Sequence, residues 1–149
     1  MQPIKNRKAF FDYEVLDTLE VGIVLQGHEV KSVKEGQVSL KDSYVVVQDG
    51  ELFLINATIS KYRYAGDISY DPQRSRKLLA SKKEIISLSS KVQQKKLTMV
   101  PLKIYTKGKN IKVEIGLVKG KKKYEKKESI KQRDLDRELH REKRKFVGK

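Results

Sequence analysis

The stretch GKKKYEKKESIKQRDLDRELHREKRKFVGK, from Gly120 to Lys149, sets the first limit on what this chain can fold into. Its strongly apolar side chains are Ile130, Leu135, Leu139, Phe146 and Val147, too few and too scattered to make a core. A hydrophobic core must therefore come from the residues before it. Lys119 to Lys149 carries 14 Lys/Arg against 6 Asp/Glu, a net +8, whereas Met1 to Val118 carries 20 against 13, a net +7. Charge of one sign at the tail's density opposes compaction unless a polyanion answers it. Nucleic acid and an anionic membrane surface are the two leading candidates, with acidic proteins third.

The whole chain of 149 residues, at 38% hydrophobic and 36% charged, suits one modest domain with an appendage. The expected division is a folded body over 1–123 and a basic tail over 124–149. The absence of cysteine excludes disulfides, thiolate catalysis and cysteine-type zinc sites. No apolar run approaches the ~20 residues that cross a bilayer. The opening MQPIKNRKAFFDYEV has no apolar core of a secretory signal. The expectation is a soluble, cytoplasmic protein.

Within the body, YEVLDTLEVGIVLQG (Tyr13 to Gly27) is β-branched and partly alternating, which predicts one long strand, bent or bulged near Gly22. HEVKSVKEG predicts a short helix closed by Gly36. Two β-rich runs flank Asp49-Gly50, a dipeptide that tolerates φ > 0 at both positions and so predicts a tight hairpin. A short strand is expected at Thr58-Ile59, followed by a long loop. Ser81 and Glu84 form an S-x-x-E capping box ahead of Ile85, Leu88 and Val92, which share a helical face. A second hairpin follows, turning at Lys107 to Asn110. About six strands, two or three helices and no regular βαβ alternation predict a mainly β fold with short helices. Its architecture would be an OB-like antiparallel barrel followed by a flexible basic C-terminal tail.

Catalytic signals are sparse. His28 and His140 are far apart in sequence, and no glycine loop matches a phosphate-binding motif. Asp17 with Glu29-Val30-Lys31 resembles the carboxylate–carboxylate–lysine set of metal-dependent nucleases, but those place it on a strand and this one falls in a predicted helix. Neither an enzymatic activity nor a cofactor or metal is expected. Nucleic-acid binding has broader support. Basic clusters recur at Lys5-Asn6-Arg7-Lys8, Arg74-Ser75-Arg76-Lys77, Lys82-Lys83 and Lys95-Lys96, and Tyr62, Tyr64 and Tyr70 interleave with basic residues. Cations neutralise phosphates, and aromatic faces stack on unpaired bases. In the tail, Leu135/Leu139, Asp134/Arg137 and Glu138/Arg141 sit at helical spacings, so an arm that orders on a polyanion is expected over a plain solubilising end. A membrane helix fits poorly, because the apolar face is thin and lacks Trp.

The blocks VGIVLQGHEVKS, DSYV with DGELFL, DPQRSRKLL, VPLKIY and KVEIGLVKGKKKY occur in that order, and with them the chain resembles the SsrA-binding protein family (SmpB) over nearly its whole length. The resemblance implies an oligonucleotide-binding barrel with a basic tail and no enzymatic activity. It implies binding to the tRNA-like domain of transfer-messenger RNA and delivery of that RNA to stalled ribosomes for trans-translation. The tail would enter the empty messenger channel near the decoding region and become helical there. By the same resemblance the RNA contacts are Gly27, Glu29, Lys31 and Ser32, then Arg74, Arg76 and Lys77, then Lys119, Lys121, Lys122 and Lys123. Glu29 is the expected acceptor of base amino or imino groups. The ribosome-facing tail residues are Tyr124, Lys126, Lys127, Lys131, Arg133, Arg137, Arg141, Lys143, Arg144 and Lys145. The chain departs from the family pattern at Glu125-Lys126-Lys127, where Asp-Lys-Arg is common, and at Ser81. A monomer is expected, with no membrane partner and no spare apolar stripe.

Overall fold

The computed structural model describes residues 2–120. The chain runs through β1 (Ile4–Lys5), α1 (Arg7–Asp12), β2 (Tyr13–Ile23), α2 (Gly27–Lys34), β3 (Val38–Ser39) and β4 (Tyr44–Gln48). It continues through β5 (Glu51–Ile55), β6 (Thr58–Ile59), β7 (Arg76–Leu79), α3 (Lys82–Lys95), β8 (Thr98–Lys107) and β9 (Asn110–Gly120). The main sheet has the order β1-β8-β4-β5-β7-β2-β9, and β8 also pairs with β9. That extra pairing closes six strands into an antiparallel ring; β1 pairs with β8, and β3 and β6 form a separate two-stranded ribbon near α2. The mainly β, OB-like barrel expected from the sequence is the fold observed. No helix among the described residues is long and apolar enough to cross a membrane.

Local chemistry explains the elements. Asp49 and Gly50 both take positive φ, 52° and 75°, so their turn follows the right-handed twist of β4 and β5. At the end of α2, Gly36 has φ of 79°; its N–H donates to the Val33 carbonyl at 2.9 Å, and the Gln37 N–H donates to the Ser32 carbonyl at 2.9 Å. This is a Schellman closure, which needs the left-handed conformation that glycine adopts without steric cost. For α3, the Ser81 side chain accepts from the Glu84 N–H at 3.2 Å, and the Glu84 carboxylate accepts from the Ser81 N–H at 2.9 Å. The helix turns Ile85 and Leu88 into the core, with Val92 packed alongside.

Two short strands, β1 and β3, lie beyond the six or so expected, and three further features differ from the sequence expectation. The bulge in β2 lies between Val15 and Asp17, not at Gly22; Gly22 instead sits where β2 pairs with β7 on one edge and β9 on the other. A short helix, α1, is capped by Asn6, whose side chain accepts from the Ala9 N–H at 3.2 Å and donates to the Pro101 carbonyl at 2.9 Å. The stretch read as loop contains β7, where Arg76 and Leu78 point inward and Lys77 and Leu79 outward. With an arginine inside and a leucine outside, the usual apolar alternation of a strand is hidden.

The main core fills the ring with Val21, Leu52, Leu54, Leu78, Ile104, Val113, Ile115 and Leu117. A second cluster, Ala9, Val100, Leu102 and Val118, seals α1 onto β8 and β9. Gly116 lets β9 pass Leu102 closely: a Cβ there would stand 2.8 Å from Leu102 Cδ1 and 2.9 Å from its Cγ. Leu102 is itself buried and cannot swing away. Gly116→Ala is therefore expected to destabilise the fold by about 1–3 kcal/mol, the usual cost of overpacking. Urea unfolding checks this; Leu102→Ala in the same chain should recover part of the loss.

Candidate nucleic-acid interface

Glu29 stands in the first turn of α2, fully buried, and its carboxylate is the hub of the surrounding structure. The Gln26 N–H donates to Oε1 at 2.8 Å, which ties the helix start to the same carboxylate. Arg76, also fully buried, donates to Oε2 through Nε at 3.1 Å and Nη2 at 2.8 Å. Arg74 donates through Nε to Oε2 at 3.1 Å and through Nη2 to Oε1. The Tyr70 hydroxyl lies 2.8 Å from Oε2 and 2.9 Å from the Ile59 carbonyl, so its one proton serves one of them at a time. Arg76 spends its remaining donors on the carbonyls of Ala57 at 2.6 Å and Pro72 at 2.9 Å, and on the Tyr70 oxygen at 2.8 Å. The His28 ring meets Tyr70 edge-on with centroids 4.6 Å apart.

This network joins α2, β6, β7 and the 60–75 loop. Burial pushes the Glu29 carboxyl up, but the hydrogen bonds from Arg74, the Gln26 backbone, Arg76 and Tyr70 outweigh it and hold the group at about 2, against an ordinary 4.5. Burial and the neighbouring carboxylate push the Tyr70 hydroxyl up to about 12, so it remains a donor.

The positions expected to contact RNA fall into four groups. Gly27 and Lys31 are exposed on α2, and Arg74 keeps 28% of its side chain exposed. Lys77 faces outward from β7 and pairs with Glu51 at 3.0 Å, and Lys119 is exposed near the end of β9, 3.9 Å from Glu14. Glu29, Ser32 and Arg76 are buried. Lys121, Lys122, Lys123 and the tail positions from Tyr124 to Lys145 lie outside the described residues.

Of these three, Glu29 and Arg76 correct the sequence expectation for this conformation. The Glu29 carboxylate is not offered to a base, because two arginines, a tyrosine and a backbone N–H already occupy it. Arg76 is not offered to a phosphate, because it neutralises Glu29 inside the fold. The nuclease pattern does not assemble either: Asp17 pairs with Lys91 at 2.9 Å while Glu29 pairs with arginines, and the described residues contain no cluster of metal-ligating side chains. The structure adds Tyr70, whose hydroxyl completes the network. Its interleaving with basic residues was the available signal, but its partner was 41 positions away.

Residues 3–145 match the family model described as SmpB protein. The chain is 49% identical over 144 residues to the SsrA-binding protein of Persephonella marina, covering 97% of this chain and 93% of that one. It is 51% identical, with the same coverage, to the SsrA-binding protein of a Sulfurihydrogenibium species. The chain belongs to the SmpB family. A solved structure described as "tmRNA-SmpB: a journey to the center of the bacterial ribosome" contains a chain that superposes with a TM-score of 0.69. The two share 45% identity, over 93% of this chain and 98% of that one. In this chain the apolar barrel core is accompanied by a buried, hydrogen-bonded ion cluster where α2, β6, β7 and the 60–75 loop meet.

Two outcomes follow from the network. Removing one partner of a buried ion pair costs about 3–5 kcal/mol, because the other charge is left uncompensated. Glu29→Gln and Arg76→Met are each expected to lose about that much in urea unfolding, and Arg74→Met less, since water can reach its guanidinium. The Glu29 carboxyl is depressed in the fold, so its stabilisation is complete above pH 4.5 and drains away as pH falls from 4.5 towards 2. The stability gap between the wild type and Glu29→Gln should accordingly shrink on acidification through that window.

Proposed function

We propose that this chain binds the tRNA-like domain of transfer-messenger RNA and delivers it to stalled ribosomes for trans-translation, the tagging of the unfinished peptide. The observation that carries this reading is family membership over nearly the whole chain, together with a relative's structure described as a tmRNA–SmpB pair at the bacterial ribosome. The physical features agree. A net charge of +15 suits a polyanionic partner. Lys31, Arg74, Lys77 and Lys119 offer cations from several faces of a rigid barrel, and a closed barrel of this type presents loops suited to irregular RNA.

In this reading the body recognises RNA and does no covalent chemistry, and the protein works in the cytoplasm as a monomer without cofactor. Glu29 and Arg76 act by shaping α2 and the loop packed on it, while Gly27, Lys31, Ser32, Arg74, Lys77, Lys119, Lys121, Lys122 and Lys123 meet the RNA. Residues 124–149 form a separate arm. Its cations, from Lys126 and Lys127 through Arg133, Arg137 and Arg141 to Lys143, Arg144 and Lys145, follow ribosomal RNA phosphates into a messenger channel that is empty. A basic arm that orders only on contact needs that vacancy, since messenger would fill the same space. Tyr124 marks the start of the arm.

The co-purifying RNA, sequenced after a moderate-salt wash, tests the first half. One dominant RNA with a tRNA-like end is expected; a broad mixture would reduce the protein to a general RNA-binding barrel. Truncation after Lys123 tests the second half. Binding to transfer-messenger RNA should persist while peptide tagging is lost, and intact tagging would refute a role for the arm.

A further inference from the structure

A cleft opens between the C-terminal end of α2 and the segment Ser60 to Tyr64. Its walls are Ser32, Glu35, Gln37, Ser60, Tyr62 and Arg63, with Lys61 beside them. Ser32 is only 1% exposed, and its buried Oγ has no hydrogen-bond partner among the described residues. A buried hydroxyl without a partner is uncommon in a folded protein and costly to keep. This one lines a cleft that is otherwise rich in polar groups.

The rim is a ladder of cations and rings. Lys31 Nζ lies 5.5 Å from the centroid of Tyr62, Tyr62 meets Tyr64 edge-on at 5.5 Å, and the Arg63 guanidinium sits 5.0 Å from the centroid of Tyr64. Tyr64 is 72% exposed. Arg63 also donates from Nη2 to Glu35 Oε2 at 3.1 Å, which leaves most of that carboxylate's acceptor capacity open. The cleft is held in shape from both sides. The Schellman closure at Gly36 fixes one wall, and the Ser60 N–H donates to the Gln37 carbonyl at 3.0 Å to fix the other. The ion cluster at Glu29 anchors the far end of the same loop.

We propose that this cleft takes one unpaired guanine nucleotide of the bound RNA, a subsite that rests on the RNA-binding reading above. The base stacks on the tyrosine ladder, as unpaired bases do on aromatic platforms. The Glu35 carboxylate accepts from guanine N1–H and N2–H, the two adjacent donors that no other common base carries on that edge. Ser32 Oγ gains the partner it lacks, and Lys61 and Lys31 neutralise the flanking phosphates. A double-stranded segment could not enter, since the base must leave its stack to reach Ser32.

The test uses the full chain and a transcript of the tRNA-like domain of transfer-messenger RNA. Affinity is followed against salt, and guanines are probed with kethoxal, which reacts at N1 and N2. In the wild-type complex a loop guanine should be protected. Tyr62→Ala should restore its reactivity and weaken binding by about 5- to 150-fold at every salt concentration, without changing the salt slope. Tyr62→Phe should bind like the wild type. Lys61→Gln should flatten the slope by about 0.7–0.9 of a log–log unit. Ser32→Ala should weaken protection while thermal unfolding stays at or above the wild-type midpoint, because it deletes an unpaired hydroxyl. Unchanged affinity and unchanged protection in Tyr62→Ala, with wild-type binding intact, would overturn the subsite alone. Failure of the wild-type protein to bind this RNA would overturn both the subsite and the functional reading beneath it.

Discussion

The buried carboxylate of Glu29 is the interaction on which the rest of this structure leans. An ionised group taken out of water is expensive unless every acceptor site is used. Here two arginines, a tyrosine and a backbone amide use them. The arrangement is worth more as a constraint than as an energy. It fixes where α2 starts, where β7 enters the barrel and how the loop between β6 and β7 folds back, because all three contribute donors to one carboxylate. An apolar plug of the same volume could stabilise the site but would not specify those directions.

Consequences spread outward from that hub. Because Arg76 is consumed inside, β7 can complete the ring between β5 and β2 with a charged residue facing the interior. Because the loop is pinned at Tyr70 and Arg74, the Lys61 to Tyr64 segment stands against the end of α2 instead of drifting in solvent. The exposed cations then sit on a rigid frame. That matters for RNA recognition, since phosphate contacts position a protein and carry little sequence information, while fixed aromatic and polar groups supply the discrimination.

Much of the fold was legible in the residues. Asp49-Gly50 announced its hairpin, Ser81 with Glu84 announced the start of α3, and Gly36 announced the end of α2. Each is a local signal whose physics is complete within a few residues. The misreadings share the opposite property. β7 escaped because its inward arginine is neutralised by a residue 47 positions earlier. The α1 helix escaped because its cap, Asn6, is held by Pro101, 95 positions later. The bulge sits at Leu16 and not at the glycine, since register in a closed barrel is set by the neighbouring strands.

The candidate site divides along the same line. The residues alone set the charge, the class of partner it calls for, the order of family motifs and the supply of basic and aromatic side chains from which an RNA surface is built. By resemblance the sequence also singled out Glu29, Arg74 and Arg76 as candidate site residues. Tertiary structure alone decided which of them face water. Glu29 and Arg76 went inside and Lys31, Arg74 and Lys77 stayed at or near the surface. The physical reason is that a charge's cost of burial depends on the partners that converge on it, and convergence across forty or more positions is a property of the fold rather than of any local run of residues.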